Sequence, residues 1–204
     1  MAITWETAAT LLDRANLILN IESPLSFSGP MHVGIDLGTS DVVLMVLDSH
    51  GSPVAVFLEW AEVVRDGVVV DFIGAMEIVR RLIKKAENRL GVTISAASTS
   101  FPPGTDPRLS TNIIETIGLN VLSAMDEPSC VANLLQLDKT AVVDVGGGTT
   151  GTAVVQRGCV VFSDDEPTGG THISLVIAGH FNISFEEAEN RKRHSQGHDI
   201  LRLA

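Results

Sequence analysis

The sequence is poor in the groups that usually hold a polyanion. Its 14 Lys+Arg stand against 25 Asp+Glu, a formal net charge of −11, so the field around the chain repels phosphate backbones and nucleic acid is not expected as a partner. Any phosphate that binds must be gripped locally, by backbone N–H groups or a metal. The two cysteines, Cys130 and Cys159, are too few for a disulfide framework or a zinc site and read as reduced thiols of a cytoplasmic protein. No apolar run approaches the roughly 18–20 residues of a membrane helix. The N-terminus lacks the basic start of a secretion signal, and Asp13 and Arg14 interrupt its apolar stretch. A soluble chain without a membrane partner is expected. His32, His172, His180, His194 and His198 fall in no ligand spacing on a shared element, so no metal-histidine site is predicted. What remains, 45% hydrophobic and 19% charged residues over 204 positions, is a globular profile long enough for one large domain or two small ones.

Residues 3–20 place Trp5, Ala8, Leu12, Ala15 and Leu19 at helical spacing, and the Ser, Gly and Pro residues up to Pro30 read as a linker. From His32, three strand-like runs (HVGID, DVVLMVLD, PVAVFLEW) follow in succession and predict an antiparallel meander. GAMEIVRRLIKKAENRLG carries Met76, Val79, Leu82, Ile83, Ala86 and Leu90 on one stripe and predicts a helix. The chain then alternates: strand TISAASTSF, helix 106–117, strand VLSAMDEP, helix 129–136. That order favours parallel pairing. A second meander, TAVVDV, TGTAVVQ and CVVFSD, starts at Thr140 and leads to helices in GGTHISLVIAG and SFEEAENRKRHSQ, where Ser184 and Glu187 have capping-box spacing.

VGIDLGTSDVVLMV and VVDVGGGTTGTAVV are the same unit twice: an apolar strand ending in Asp-x-Gly, a turn of glycine or small hydroxyl residues, and a second strand. Gly38-Thr39-Ser40 and Gly146-Gly147-Gly148-Thr149 can turn their N–H groups inward, and glycine lets an anion approach closely. Neither turn has the lysine of a P-loop. Residues 146–151 fit G-x-G-x-x-G but run into a strand and not a helix, which excludes the dinucleotide reading. Asp36 and Asp144 end the two first strands and would face phosphates from opposite sides, an arrangement that requires Mg²⁺, held through water. One Asp-x-Gly makes an ordinary turn; a matched pair points to a site.

These motifs resemble the actin-like ATPase superfamily, whose signature is two such phosphate turns. DEPSCVANLLQLD resembles the connecting segment of DnaK-type chaperones and MreB, and VRDGVVVDF, TSFPPGTDPR, DVGGGTTG and PTGGTHISL resemble the ethanolamine-utilisation EutJ family from about Met31 to about Lys192. The resemblance implies an α/β, actin-like (ribonuclease H-like) fold of two lobes with the second incomplete: residues 1–30 an N-terminal helix and linker, 31–139 the first lobe, 140–204 the start of the second. It implies Asp36 and Asp144 as metal-water carboxylates and Gly38, Thr39, Ser40, Gly146, Gly147, Gly148 and Thr149 as the phosphate cradle. It further implies Glu127 as the carboxylate that orients an attacking water, Glu189 and Lys192 as the pair that contacts ribose and adenine, and Gly170 as a cofactor-binding residue. The implied cofactors are ATP or ADP with Mg²⁺, and the implied activity is weak Mg-dependent ATP hydrolysis. The implied role is a chaperone-like one in ethanolamine utilisation, within a bacterial microcompartment, acting on a client among its enzymes or shell. Two departures are expected to matter. Gly151 stands where chaperones and MreB carry Asp or Glu, and the adenosine turn beyond the Glu189 helix is absent. A non-hydrolysing docking module is the alternative, and a small-molecule kinase lacks a separate catalytic Asp.

Overall fold

The computed structural model describes residues 3–61, 63–65 and 68–194. Helix α1 (Trp5–Leu17) starts at Thr4, whose hydroxyl accepts the Thr7 N–H. Strands β1 (Met31–Leu37), β2 (Asp41–Asp48) and β3 (Pro53–Trp60) form the expected antiparallel meander. Two short strands, β4 (Val64–Arg65) and β5 (Val68–Val69), pair before helix α2 (Phe72–Leu90). Next come β6 (Ala96–Phe101), α3 (Arg108–Thr116), β7 (Asn120–Asp126) and α4 (Glu127–Leu135). The second meander is β8 (Thr140–Val145), β9 (Thr150–Gln156) and β10 (Cys159–Glu166), followed by α5 (Gly170–Phe181) and α6 (Phe185–His194). Asp66 and Gly67 of the VRDGVVVDF motif, and Ser195 and Gln196 at the end of the last expected helix, lie outside the described residues.

The first sheet has the order β3-β2-β1-β6-β7, with β6 parallel to both β1 and β7. In β2 the apolar residues alternate, so Val42, Leu44 and Val46 are fully buried while Val43 and Met45 turn to the other face. The buried face packs on α2, whose Ala75, Val79, Leu82, Ala86 and Leu90 recur every three or four residues. Asp71 caps the first turn of α2 through the Gly74 N–H, and Gly91 ends it at φ 65°, a conformation open to glycine. The second sheet, β10-β9-β8, is antiparallel throughout and packs Val142 and Val155 on Ala132 of α4. Helix α4 therefore starts at the end of β7 in one sheet and lies on the other. Among the described residues, no helix is long and apolar enough to cross a membrane.

The segment expected as a linker is tied down. Buried Arg89 donates to the carbonyls of Val54, Ile21 and Ser23 at 3.1, 3.1 and 2.7 Å. Asn20 exchanges hydrogen bonds with β3 at Val56 and Leu58. The apolar stripe read on α1 is mostly not a packing face. Ala15 alone of that set is buried, and Trp5 and Leu12 are 69% and 65% exposed, because α1 meets β3 on its Arg14–Ala15 side, where Arg14 Nε reaches the Pro53 carbonyl at 3.0 Å.

Candidate functional site

Parallel β1, β6 and β7 bring their C-terminal ends together, which is where open α/β sheets gather ligand groups. Asp36 sits near the end of β1, and its Oδ1 accepts a 2.6 Å hydrogen bond from Ser100 Oγ on β6. Glu127 opens α4 directly after β7. Its neighbour Asp126 caps that helix by accepting the Ser129 N–H and also accepts the Ser163 hydroxyl of β10. Glu127 is thus a half-buried helix residue and not a solvated turn residue.

The two Asp-x-Gly turns meet face to face. A Cβ on Gly147 would run into Ser40 Oγ, and one on Gly148 would come within 2.6 Å of Thr39 Cγ2. At Gly38 a Cβ would lie 2.9 Å from the Asp41 carbonyl oxygen, which is backbone and has nowhere to go. Among the described residues, the amides of Gly38, Thr39, Ser40, Gly147 and Gly148 donate to no acceptor, while Gly146 N–H is taken by the Thr149 carbonyl. Rows of unpaired N–H groups at a turn make an anion-binding concavity.

Between the turns lies a cavity of about 280 Å³ lined by Asp36, Glu127 and Asp144 together with Gly38, Thr39, Ser40, Gly146, Gly147 and Thr149. Among the described residues, no lysine or arginine lines it. Burial, then the charges of Asp36, Asp144, Asp165 and Asp126, push the Glu127 carboxyl up to about 8. Burial and Asp36 likewise raise Asp144, and burial, then Asp36, raise Asp41, against a downward pull from Arg193. Carboxylates crowded this way favour protonation unless a cation joins them. The donor set therefore fits Mg²⁺. No three His, Cys, Asp or Glu among the described residues form a direct metal cage, so water and phosphate oxygens would complete the coordination, as Mg²⁺ prefers.

Past Ser40, Asp41, Gly146 and Gly147 the cleft widens into a second cavity of about 920 Å³. Its floor is the start of α5, pinned to the second turn by Gly170 N–H to Gly146 O and Thr171 N–H to Gly147 O, both 2.8 Å. Glu189 Oε2 accepts Lys192 Nζ at 2.6 Å, and Lys192 Nζ also donates to the Gly170 carbonyl at 2.8 Å. Burial alone would raise Glu189, but hydrogen bonds from Lys192, Ser174 and Arg193 outweigh it and hold the carboxyl down to about 2. The pair is thus built into the cavity wall and joins α6 to α5.

Of the residues singled out in the sequence, Asp36, Gly38, Thr39, Ser40, Glu127, Asp144, Gly146, Gly147 and Thr149 converge on the smaller cavity, and Gly170, Glu189 and Lys192 line the wider one. Gly148 lines neither; it is buried against Thr39. The sequence reading missed Ser100, Asp41, Trp60, Arg193 and Asp165. Asp165 is the most informative of these. It lies across from Gly151 in the β9–β10 ladder, its Oδ1 is buried with no hydrogen-bond partner among the described residues, and burial, then the charges of Asp164, Asp144 and Glu166, raise it, offset only in part by the Thr149 hydroxyl. Gly151 is closely packed: a Cβ there would meet Pro103 and Pro128 at 3.3 and 3.4 Å, so a side chain would press on both prolines.

Residues 127–199 match the family described as type IV pilus assembly protein PilM. Ethanolamine utilization protein EutJ of Escherichia coli (strain K12) is 55% identical over 188 residues, covering 92% of this chain and 65% of the relative. The chain thus spans about 65% of the length of the curated relatives it matches. The crystal structure of ethanolamine utilization protein EutJ from Carboxydothermus hydrogenoformans superposes with a TM-score of 0.83 at 45% identity, over 97% of this chain and 75% of that one. MreB 5 of Spiroplasma citri bound to AMPPNP superposes with a TM-score of 0.61 at 18% identity, over 82% of this chain and 63% of that one.

Proposed function

The chain belongs to the EutJ family of ethanolamine utilization proteins and has the actin-like ATPase fold, and from that premise we propose that it binds Mg-ATP or Mg-ADP in the cleft between its two sheets and couples nucleotide state to a protein client of ethanolamine catabolism. One observation carries this reading: two matched turns with unpaired amides face each other across a cavity ringed by Asp36, Glu127 and Asp144. A related fold holding AMPPNP in MreB 5 supports the same cleft as a nucleotide site.

In this reading the amides of residues 38–40 and 147 would face phosphate oxygens, and Asp36 and Asp144 would hold Mg²⁺. Bound Mg²⁺ supplies charge neutralisation at the phosphates. Ser100 fixes the Asp36 carboxylate by its hydrogen bond. Glu127 accepts a hydrogen bond from the attacking water, a task that needs the ionised carboxylate and therefore a neighbouring cation to lower it from about 8. Glu189 and Lys192 meet the ribose. Phosphoryl transfer is mostly positioning and charge stabilisation, so this set suffices for slow turnover. The client is among the enzymes or shell of a bacterial microcompartment, and closure of the cleft reports nucleotide state to it.

Calorimetric titration of Mg-ATP and Mg-ADP tests the reading. Saturable binding that is lost in Asp144→Ala and in EDTA is expected; no binding to the wild-type chain refutes it. A second reading, a non-hydrolysing docking module of the microcompartment, is favoured by Gly151, which puts no carboxylate at that position and lies close against Pro103 and Pro128. Binding without turnover selects it, whereas turnover abolished by Glu127→Gln excludes it.

A further inference from the structure

The wider cavity has one wall on each side of the cleft. Trp60, at the end of β3, forms part of one, and Arg193, on α6, forms part of the other. The two touch: the Arg193 guanidinium carbon sits 4.8 Å from the centre of the Trp60 ring. Arg193 Nε is meanwhile held by Glu189 Oε1 at 2.6 Å, which keeps the guanidinium beside the ring. Among the described residues, no hydrogen bond or ion pair links α5 or α6 to the five-stranded sheet, so this contact is their direct polar tie across the cleft.

We propose that Trp60 is a specificity residue of the wider cavity: its indole occupies the face of the Arg193 guanidinium, and an occupant gains that face only by offering a planar aromatic ring in exchange. The proposal rests on the nucleotide reading above and adds to it which ligands the cavity selects. A guanidinium binds aromatic faces through both charge and stacking, and gives little to a saturated or purely ionic group in the same place. A purine nucleotide can therefore replace the indole like for like, while an inorganic polyphosphate leaves the contact closed. Trp60 is 59% exposed, so swinging it outward uncovers little apolar surface, and the exchange is a substitution of partners and not an unfolding step.

The chain has two tryptophans, and the other, Trp5, lies on exposed α1, so a Trp5→Phe background makes Trp60 the reporter. Its emission is expected to shift on titration with Mg-ADP and to stay unchanged with Mg-tripolyphosphate. In calorimetry, Trp60→Leu is expected to bind Mg-ADP about 2- to 5-fold tighter than the parent, the weight of one exposed cation–π contact, with tripolyphosphate affinity unaltered and Trp60→Phe intermediate. Equal or weaker Mg-ADP binding by Trp60→Leu overturns the proposal, as does an emission that ignores bound Mg-ADP; either result leaves the nucleotide reading standing. If Mg-ADP binds neither protein, both fall together.

Discussion

Replacing Glu127 by glutamine should stabilise the ligand-free protein, and by an amount that depends on pH. Glutamine imitates the protonated carboxyl, which the folded state prefers because burial and the surrounding carboxylates lift Glu127 from 4.5 to about 8. Below about pH 4.5 the wild-type side chain is protonated in folded and unfolded chains alike, and the two proteins should be separated by little. As pH rises toward 8 the unfolded chain has released its proton while the folded one retains it, so wild-type stability falls and the gap to Glu127→Gln widens; above 8 the gap is constant. At about 1.4 kcal/mol for each factor of ten, the ceiling is about 5 kcal/mol. The carboxyl borders an open cavity, so solvent screening brings the expected plateau to about 2 kcal/mol. Urea unfolding of both proteins from pH 5 to pH 9 measures it. A gap that stays flat across that range, or one that closes as pH rises, refutes the electrostatic account of the cavity.

Three further outcomes are expected. Arg89→Ala leaves the Val54, Ile21 and Ser23 carbonyls without their donor, which should cost about 3 kcal/mol in urea unfolding and raise amide exchange in residues 18–25; a loss under about 1 kcal/mol contradicts the tethering role. Gly148→Ala drives a methyl into Thr39 Cγ2 and should destabilise by about 1–3 kcal/mol, with Thr39→Ser, which removes that carbon, restoring part of it in a double-mutant cycle. Burial and the neighbouring acids push the Cys130 thiol up to about 11, so at pH 8 a mass-resolved alkylation should label exposed Cys159 well before Cys130.

The meanders, the α2 stripe and the pairing of the two Asp-x-Gly turns were legible in the sequence because each depends on local period or on a repeat. The exposure of Trp5 and Leu12 could not be read, because helical spacing tells which residues share a face and not whether anything lies against it. Asp165 was illegible for a different reason. A bulge between Val160 and Phe162 shifts the β9–β10 register by one residue, which puts Asp165 opposite Gly151 and turns exposed Asp164 away. Nothing in CVVFSDDE marks that extra residue. Trp60 and Arg193 meet only because α6 folds back over the cleft, a contact across more than a hundred positions that no spacing rule reaches.

Because α4 is capped at Asp126 by the first sheet's last strand but seated on the second sheet through Ala132, it is a short rod that joins the two. Any swing of one sheet against the other must rotate this short rod, and Glu127 rides at its pivot end. Were the cleft to open and close, the reach of that carboxylate would change with it, and a substitution that stiffens the rod's seat would alter both at once.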